Sequence, residues 1–302
     1  MGWPAYLEVQ KTGELLRRAE AAERLLEACR VCPRECLALR LQGETGVCGV
    51  AEKAMVASYG PHFGEEAPLV GVGGSGTIFL AHCNLCCVFC QNFEISQQGE
   101  GRIVSARELA QMMLDLQRTG CHNINFVTPT HQVPQILRAL PIAIEGGLQV
   151  PLVYNCGGYE SLETLRLLDG VFDIYMPDFK YGDAEVAKRY SKVENYPKVA
   201  KAAFREMHRQ VGDLVVDRRG IARRGLLVRH LVLPNNLAGT AEVVRFLAEL
   251  SKDTYVNIMT QYRPCYRAHE YPALAGRPAR AEFDEAFRLA RNAGLHRLDG
   301  CC

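Results

Sequence analysis

The chain has 302 residues, of which 35 are Lys or Arg and 34 are Asp or Glu. This balance gives no electrostatic footprint for nucleic acid or for an anionic membrane. The longest apolar runs are far shorter than the roughly 20 residues that a membrane-spanning helix needs. We therefore expect neither nucleic-acid nor membrane partners. The length is enough for one α/β barrel with a small additional domain.

Thirteen cysteines are present, and the first residues show no apolar export segment. Together these observations predict reduced cysteines and a cytoplasmic protein. Cys121 and Cys265 are isolated in the sequence, and we interpret them as core or structural residues. Cys301 and Cys302 end the sequence as a thiol pair in a flexible tail or, alternatively, as a pair of ligands. Most of the others fall in two tight groups, which packing alone does not explain.

The first group is Cys29, Cys32, Cys36 and Cys48, with the spacing C-x2-C-x3-C-x11-C. Such a short segment has little core of its own, so a bound metal would supply its folding free energy. Four thiolates suit tetrahedral zinc or an auxiliary [4Fe–4S] cluster. The Pro after Cys32 and the closely spaced first three cysteines favour the cluster. Residues 1–75 are thus predicted to be a small N-terminal Cys-rich domain with a second metal centre.

From Gly76 onward, short apolar runs alternate with helical patterns. In the first helix, Ser105 and Glu108 form a capping box. Continuous apolar strands between helices predict an α/β fold with a parallel sheet. Six such units favour a partial (β/α)6 barrel over residues 76–265, with an open doubly wound sheet as the alternative, and residues 266–302 form a C-terminal helix and tail. The six strand runs are GTIFLAHC (76–83), NINFVTP (123–129), LQVPLVYNC (148–156), VFDIYMPDFK (171–180), GLLVRHLVLP (225–234) and TYVNIMTQYRP (254–264).

The carboxyl ends of these predicted strands carry polar or metal-binding side chains. In parallel α/β folds, the chemistry takes place at this end of the sheet. The segments that meet there are His82-Cys83, Thr128-Pro129-Thr130-His131, Asn155-Cys156-Gly157, Asp178-Phe179-Lys180, Leu233-Pro234-Asn235 and Gln261-Tyr262-Arg263.

The second cysteine group follows the first of these strands. Cys83, Cys87 and Cys90 have the spacing C-x3-C-x2-C. Three thiolates can hold three irons of a [4Fe–4S] cluster and leave the fourth iron open, whereas electron-transfer clusters have four cysteine ligands. An open iron needs a ligand from elsewhere and therefore implies chemistry. The alternative is zinc bound by Cys83, Cys90 and either Cys86 or Cys87, with a fourth ligand.

The motifs CNLCCVFCQNFEIS, NINFVTPTH, IYMPDFKY and RHLVLP resemble the radical S-adenosylmethionine (SAM) superfamily. With CRVCPREC, GETGVCG and HFGEEAPLVGVGGSGTIF upstream, the chain resembles its PflX-type branch, related to pyruvate formate-lyase activating enzyme. The resemblance implies that SAM chelates the open iron and that one electron releases a 5′-deoxyadenosyl radical, which abstracts hydrogen from a substrate.

Three functions are considered on this basis. The first is activation of a glycyl radical enzyme, with an electron donor such as flavodoxin or ferredoxin. The second is modification of a small molecule or peptide. The third, from another class, is an iron–sulfur electron carrier or a zinc-binding structural protein.

The resemblance also implies roles for individual residues. Cys86 is the spare cysteine of the loop, and Cys156 is either a core residue or an active-site thiol. Asp178 and Lys180 match the family's Asp-x-Lys and are the predicted catalytic residues, with a structural ion pair as the alternative. Residues expected to contact SAM are Phe89, Thr128, Thr130, His131, Asn155, Asp178, Lys180, Arg229 and Gln261.

Overall fold

The structure is a computed structural model that describes residues 3–300. Within these residues, ten strands form one mixed sheet in the order β10-β9-β8-β6-β5-β4-β2-β1-β3, with β7 paired to β8. The strands are β1 (Ala54–His62), β2 (Ser75–Leu80), β3 (Arg102–Val104), β4 (Ile124–Val127), β5 (Leu152–Cys156), β6 (Ile174–Pro177), β7 (Val215–Val216), β8 (Ala222–Leu231), β9 (Tyr255–Met259) and β10 (Leu298–Asp299).

Helices connect the parallel strands. They are α1 (Tyr6–Lys11), α2 (Glu14–Arg24), α3 (Ala67–Val70), α4 (Phe93–Ser96), α5 (Ala106–Arg118), α6 (Val133–Glu145), α7 (Leu162–Leu167), α8 (Ala184–Ser191), α9 (Tyr196–Val211), α10 (Thr240–Leu250) and α11 (Arg280–Ala293). None of them, in the described part of the chain, is long and apolar enough to cross a membrane.

The six predicted strands are all present, as β2, β4, β5, β6, β8 and β9, and successive members of this series pair in parallel. The capping box is confirmed at the start of α5, where Ser105 Oγ accepts from the backbone N–H of Glu108. The α/β fold is therefore confirmed as one with a mixed sheet. Repeated parallel pairing places the carboxyl ends of these strands along one edge of the sheet.

Besides β7, which lies in the segment LVVDRRGIARRG that indicates a small hairpin, three strands were not predicted from the sequence: β1, β3 and β10. β1 pairs antiparallel with β2, although it belongs to the segment predicted as a separate N-terminal domain. The boundary at residue 75 therefore stays a prediction, and the two sides of it share one sheet.

One face of the sheet is covered by α3 near the amino ends of the strands. Leu69 packs with Val153, Ile174 and Leu227 in an apolar cluster. Because side chains alternate along a strand, the residues two positions further on, Asn155 among them, lie on the same face nearer the carboxyl ends. The apolar cluster thus occupies the amino end of this face, and the polar side chains lie at its carboxyl end.

Candidate functional site

A cavity of about 270 Å³ lies at the carboxyl ends of the parallel strands. It is lined by residues of the cysteine loop, by residues of β4, β5, β8 and β9, and by residues that directly follow β6. The lining residues that the sequence predicted are Cys83, Cys87, Cys90, Phe89, Thr128, Asn155, Asp178, Lys180, Arg229 and Gln261. The structure therefore brings together, in one cavity, side chains that lie up to 178 residues apart in the sequence.

The cysteine loop presents three sulfurs with different partners. The Leu85 backbone N–H donates to Cys83 Sγ at 3.3 Å, and Ser191 Oγ donates to Cys87 Sγ at 2.9 Å. Cys90 Sγ lies 3.0 Å from a serine hydroxyl of α4. The sulfur of Cys86 instead lies 3.9 Å from Arg34 Nη2. The loop thus separates Cys86 from the three sulfurs that line the cavity.

The electrostatic environment of these thiols combines burial with one cation. Burial raises the pKa of Cys83 well above its usual value and that of Cys87 to about 11, while the Lys180 ammonium lowers both. Iron binds the thiolate form, which a neighbouring cation stabilises. Three thiols on one loop with Lys180 beside them are a suitable donor set for a [4Fe–4S] cluster.

Asp178, just after β6, lies between two cations. Lys180 Nζ donates to its Oδ2 at 2.6 Å, and Arg229 Nε donates to its Oδ1 at 2.8 Å. Arg229 also donates from Nη2 to Asn155 Oδ1 at 2.7 Å. The predicted ion pair therefore exists, and both of its members line the cavity as well.

Burial and charge act in opposite directions on this group. Burial raises the pKa of Asp178, but Arg229 and Lys180 outweigh it and hold the pKa below its usual value. Burial disfavours the ammonium of Lys180, yet Asp178 holds the pKa of Lys180 above its usual value. All three groups are charged at neutral pH, so loss of one partner leaves an uncompensated buried charge.

Two of the cavity residues show distinct local features. The Phe89 ring packs edge-on against Tyr181 and Tyr262, with ring centroids 6.3 and 5.9 Å away. Thr128 has a φ of 61°, a left-handed conformation that is rare for a β-branched residue. This strained residue ends β4 at the cavity wall.

Thr130 and His131 lie outside this lining. Thr130 Oγ1 donates to Glu160 Oε1 at 2.7 Å, and His131 Nε2 lies 3.0 Å from the Ala81 carbonyl oxygen. Burial lowers the pKa of His131 to about 3, so the ring is neutral. The predicted contact of both residues with SAM stays a prediction for which the structure shows other partners.

The four N-terminal cysteines lie close together after α2, as Cys29, Cys32, Cys36 and Cys48. Burial, to which the charges of Cys48 and Cys29 add, raises the pKa of Cys32 to about 12. Burial also raises the pKa of Cys48, against the nearby guanidinium of Arg40. Within residues 3–300, no three Cys, His, Asp or Glu side chains are arranged around a single metal ion. A metal centre at these four cysteines, and its identity, stay predictions.

His82 connects the two cysteine regions. It directly precedes Cys83 in a left-handed conformation with a φ of 68°. Its ring lies against Gly49 and Gly99, and a Cβ atom at Gly49 would be only 2.6 Å from the ring. A side chain at Gly49 is therefore incompatible with the present position of the ring. Gly49 directly follows Cys48, so the His82 ring lies between the loop of Cys48 and the loop of Cys83.

Glu160 was missed in the sequence, although it follows the end of β5 by four residues. It is 3% exposed, and its Oε2 accepts from the Tyr154 hydroxyl at 2.8 Å. Burial raises its pKa to about 7. Its charge adds to burial in raising the pKa of both Cys32 and Cys156, and Cys156 lines the cavity. Glu160 therefore lies between the N-terminal cysteines and the cavity.

Comparison with known proteins agrees with this site. The family model of the radical SAM superfamily matches residues 77–219, which include the cysteine loop, Asp178 and Lys180. Over these residues, just under half of the chain, the sequence matches the radical SAM superfamily. Members of this superfamily use a [4Fe–4S] cluster and SAM, and a chain of this class is an enzyme.

The particular relatives are themselves of unestablished function. The chain is 33% identical to the uncharacterized protein MJ0674 of Methanocaldococcus jannaschii, over 96% of this chain and 82% of that protein. It is 24% identical to the uncharacterized protein MJ0808 of the same organism, over 88% and 77%.

A solved structure is similar in fold. The crystal structure of Streptococcus suis SuiB bound to precursor peptide SuiA matches with a TM-score of 0.50 and 11% identity. The match covers 73% of this chain and 47% of the SuiB chain, so this chain spans about half of that protein's length. At this identity, the likeness concerns the fold alone.

Proposed function

We propose that Cys83, Cys87 and Cys90 hold the [4Fe–4S] cluster and that the adjoining cavity binds SAM for reductive cleavage. The observation that carries this proposal is the convergence of the three thiols with Asp178, Lys180 and Arg229 in one cavity. When bound, the reduced cluster supplies the electron that cleaves SAM to methionine and a 5′-deoxyadenosyl radical for hydrogen abstraction.

Different side chains of the cavity would bind different parts of SAM. Phe89, held by two tyrosine rings, offers an apolar wall for the adenine. Lys180 and Arg229 carry positive charge that suits the SAM carboxylate, and Asp178 suits its amino group. Because these groups already have partners, they are oriented before SAM arrives.

A finer description of the fold accompanies this proposal. The six parallel strands would curve into a partial (β/α)6 barrel around the cavity. Residues 1–75 would act as an N-terminal unit with its own centre at Cys29, Cys32, Cys36 and Cys48. An iron–sulfur centre there would pass electrons toward the first cluster, whereas zinc would act on folding alone.

For the substrate, the proposal is activation of a partner protein by hydrogen abstraction from a glycine. A flavodoxin or ferredoxin would supply the electron. The resemblance of the motifs to activating enzymes supports this candidate.

A second candidate is modification of a peptide or small molecule. The fold likeness to SuiB, whose structure contains a precursor peptide, supports it. So does a second cavity beside the first, which shares Arg229, Met259 and Gln261 with it and lengthens the space for a chain-like substrate.

The test is anaerobic reconstitution of the full chain, followed by dithionite and SAM. We expect 5′-deoxyadenosine and methionine in equal amounts, and their loss in Cys87→Ala but not in Cys86→Ala. Candidate glycyl radical enzymes and peptides are then added, with detection of a glycyl radical by electron paramagnetic resonance and of peptide products by mass spectrometry. Methyl transfer alone, or no cleavage after these partners are screened, would contradict the proposal.

A further inference from the structure

The second cavity has a volume of about 370 Å³ and lies beside the cavity of the cysteine loop. Arg229, Met259 and Gln261 line both. A group bound in this cavity is therefore separated from the proposed SAM site only by side chains that the two cavities share. Its other polar lining comes from Glu65, Glu66, Asn257, Thr260 and Asp299.

Glu66 is the most unusual of these residues. It is 7% exposed, and Asn257 Nδ2 donates to its Oε1 at 2.9 Å. Its Oε2 is buried and has no hydrogen-bond partner among residues 3–300. Glu66 precedes α3, yet its side chain does not cap that helix. A buried acceptor without a donor is unfavourable, so the position favours a ligand that donates a hydrogen bond.

The carboxylates around this cavity exceed the permanent positive charge that faces them, since His62 Nδ1, which lies 3.4 Å from Glu65 Oε1, adds charge only when its ring is protonated. Arg229 Nη1 lies 3.6 Å from Glu65 Oε2, but Arg229 already donates to Asp178. Asp299 adds a third carboxylate, whose Oδ2 accepts from a tyrosine hydroxyl at 3.0 Å. Burial, together with the charge of Glu66, raises the pKa of Glu65. A ligand with positive charge would relieve this repulsion.

The arrangement favours an organic cation over a metal ion. The three carboxylates already have separate partners: Asn257 donates to Glu66, Arg229 lies beside Glu65, and a tyrosine hydroxyl donates to Asp299. Ammonium and guanidinium groups distribute several N–H donors over separated oxygens. Given the proposed function, on which this inference rests, we propose that the cavity lined by Glu65, Glu66 and Asp299 binds an amino or guanidinium group of the substrate beside SAM.

The test uses the full chain with its cluster reconstituted and SAM bound. Calorimetry measures the binding of n-butylguanidinium, n-butylammonium and the neutral n-butylurea. We expect at least one of the two cations to bind roughly tenfold or more tightly than the urea, because a charge-assisted hydrogen bond is worth about 1.5–3 kcal/mol. Glu66→Gln should remove most of this difference, whereas the exposed Glu285→Gln should not.

Several outcomes would overturn the inference. Equal binding of all three probes would do so, as would cation binding that Glu66→Gln leaves unchanged. Glu66-dependent binding of Mg²⁺ without binding of either organic cation would assign the cavity to a metal ion. Weaker SAM binding in Glu66→Gln, with cation binding unaffected, would assign the carboxylate to the SAM amino group.

The experiments distinguish a failure of this inference from a failure of the proposed function. SAM cleavage without added cation tests only the proposed function. If SAM is cleaved and the cations do not bind preferentially, the inference alone is wrong. Should SAM not be cleaved, the proposed function is wrong, and the titrations still report whether the cavity prefers cations. Melting temperatures of both variants verify that each one is folded.

Discussion

The two cysteine regions differ in what surrounds their sulfurs. Cys83, Cys87 and Cys90 line a cavity that Lys180 and Arg229 also line, whereas Cys29, Cys32 and Cys48 are buried and line no such cavity. One region offers space for a further ligand, and the other offers little. Three cysteines beside a cavity are suited to a metal site that binds a further ligand for a reaction. Four cysteines without such a cavity are suited to a structural or electron-transfer site.

The largest expected effect concerns the cysteine loop itself. Cys87→Ala should lose about four irons per chain, because the cluster then has only two protein thiolates. Cys86→Ala is the matched control and should keep them, since its sulfur lies near Arg34 instead. Iron and sulfide analysis after anaerobic reconstitution measures the difference. Equal losses in both variants would remove the distinction between the two neighbouring cysteines.

The second prediction concerns the N-terminal centre. Anaerobically purified protein should contain about eight irons per chain, whereas about four irons with one zinc would favour a structural zinc site. Cys32→Ala should lower the melting temperature far more than Cys121→Ala, because only the first removes a predicted ligand. Both cysteines are buried, at 6% and 3% exposure, so packing loss is matched. Equal melting temperatures would show that no centre depends on Cys32.

The third prediction concerns the charged group of the cavity. Asp178→Ala or Lys180→Ala should reduce SAM cleavage by roughly 100-fold, the range found when an oriented electrostatic partner is removed. Lys188→Ala, which breaks an exposed pair with Glu194, should leave cleavage unchanged. Parallel losses of thermal stability and activity, with unchanged SAM affinity, would favour the structural ion pair.

The smallest expected effect concerns Glu160, which lies between the two cysteine regions. Its folded pKa of about 7 exceeds the usual 4.5, so the folded state binds this proton more tightly. The resulting stabilisation is fully present below pH 4.5 and is lost as the pH rises through 7, a change of about 3 kcal/mol. The melting temperature of Glu160→Gln should therefore change less between pH 5 and 8 than that of the wild type.

The control for this prediction is Glu285→Gln, on the exposed face of α11. It should reproduce the pH profile of the wild type. A profile of Glu160→Gln that runs parallel to the wild-type profile would mean that the buried carboxyl does not titrate in this range.

Sequence patterns predicted the repeating part of this fold well. Apolar strands of the parallel series have a strong periodic signal, and the capping box of Ser105 and Glu108 marks a helix start by itself. β1, by contrast, ends in an exposed stretch that includes Gly60 and Pro61, which weaken a strand pattern. β10 has only two residues, too few for any periodicity.

The candidate site was predictable where residues follow a strand or a spaced motif. Asp178, Lys180 and Arg229 were found in this way, and the structure brings them together. Glu66 and Glu160 were missed because an acidic residue in a loop is usually exposed. Only the tertiary fold shows that both are buried.

The ring of His82 has a consequence for assembly. Since it lies between the loop of Gly49 and the start of the cysteine loop, neither loop can shift without displacing it. If the proposed N-terminal centre is present, metal release there would change the position of the Cys83 loop, and cluster loss at Cys83 would change the loop of Cys48 in return. By thermodynamic linkage, each centre would raise the affinity of the other, and the two would fill and empty as one cooperative unit.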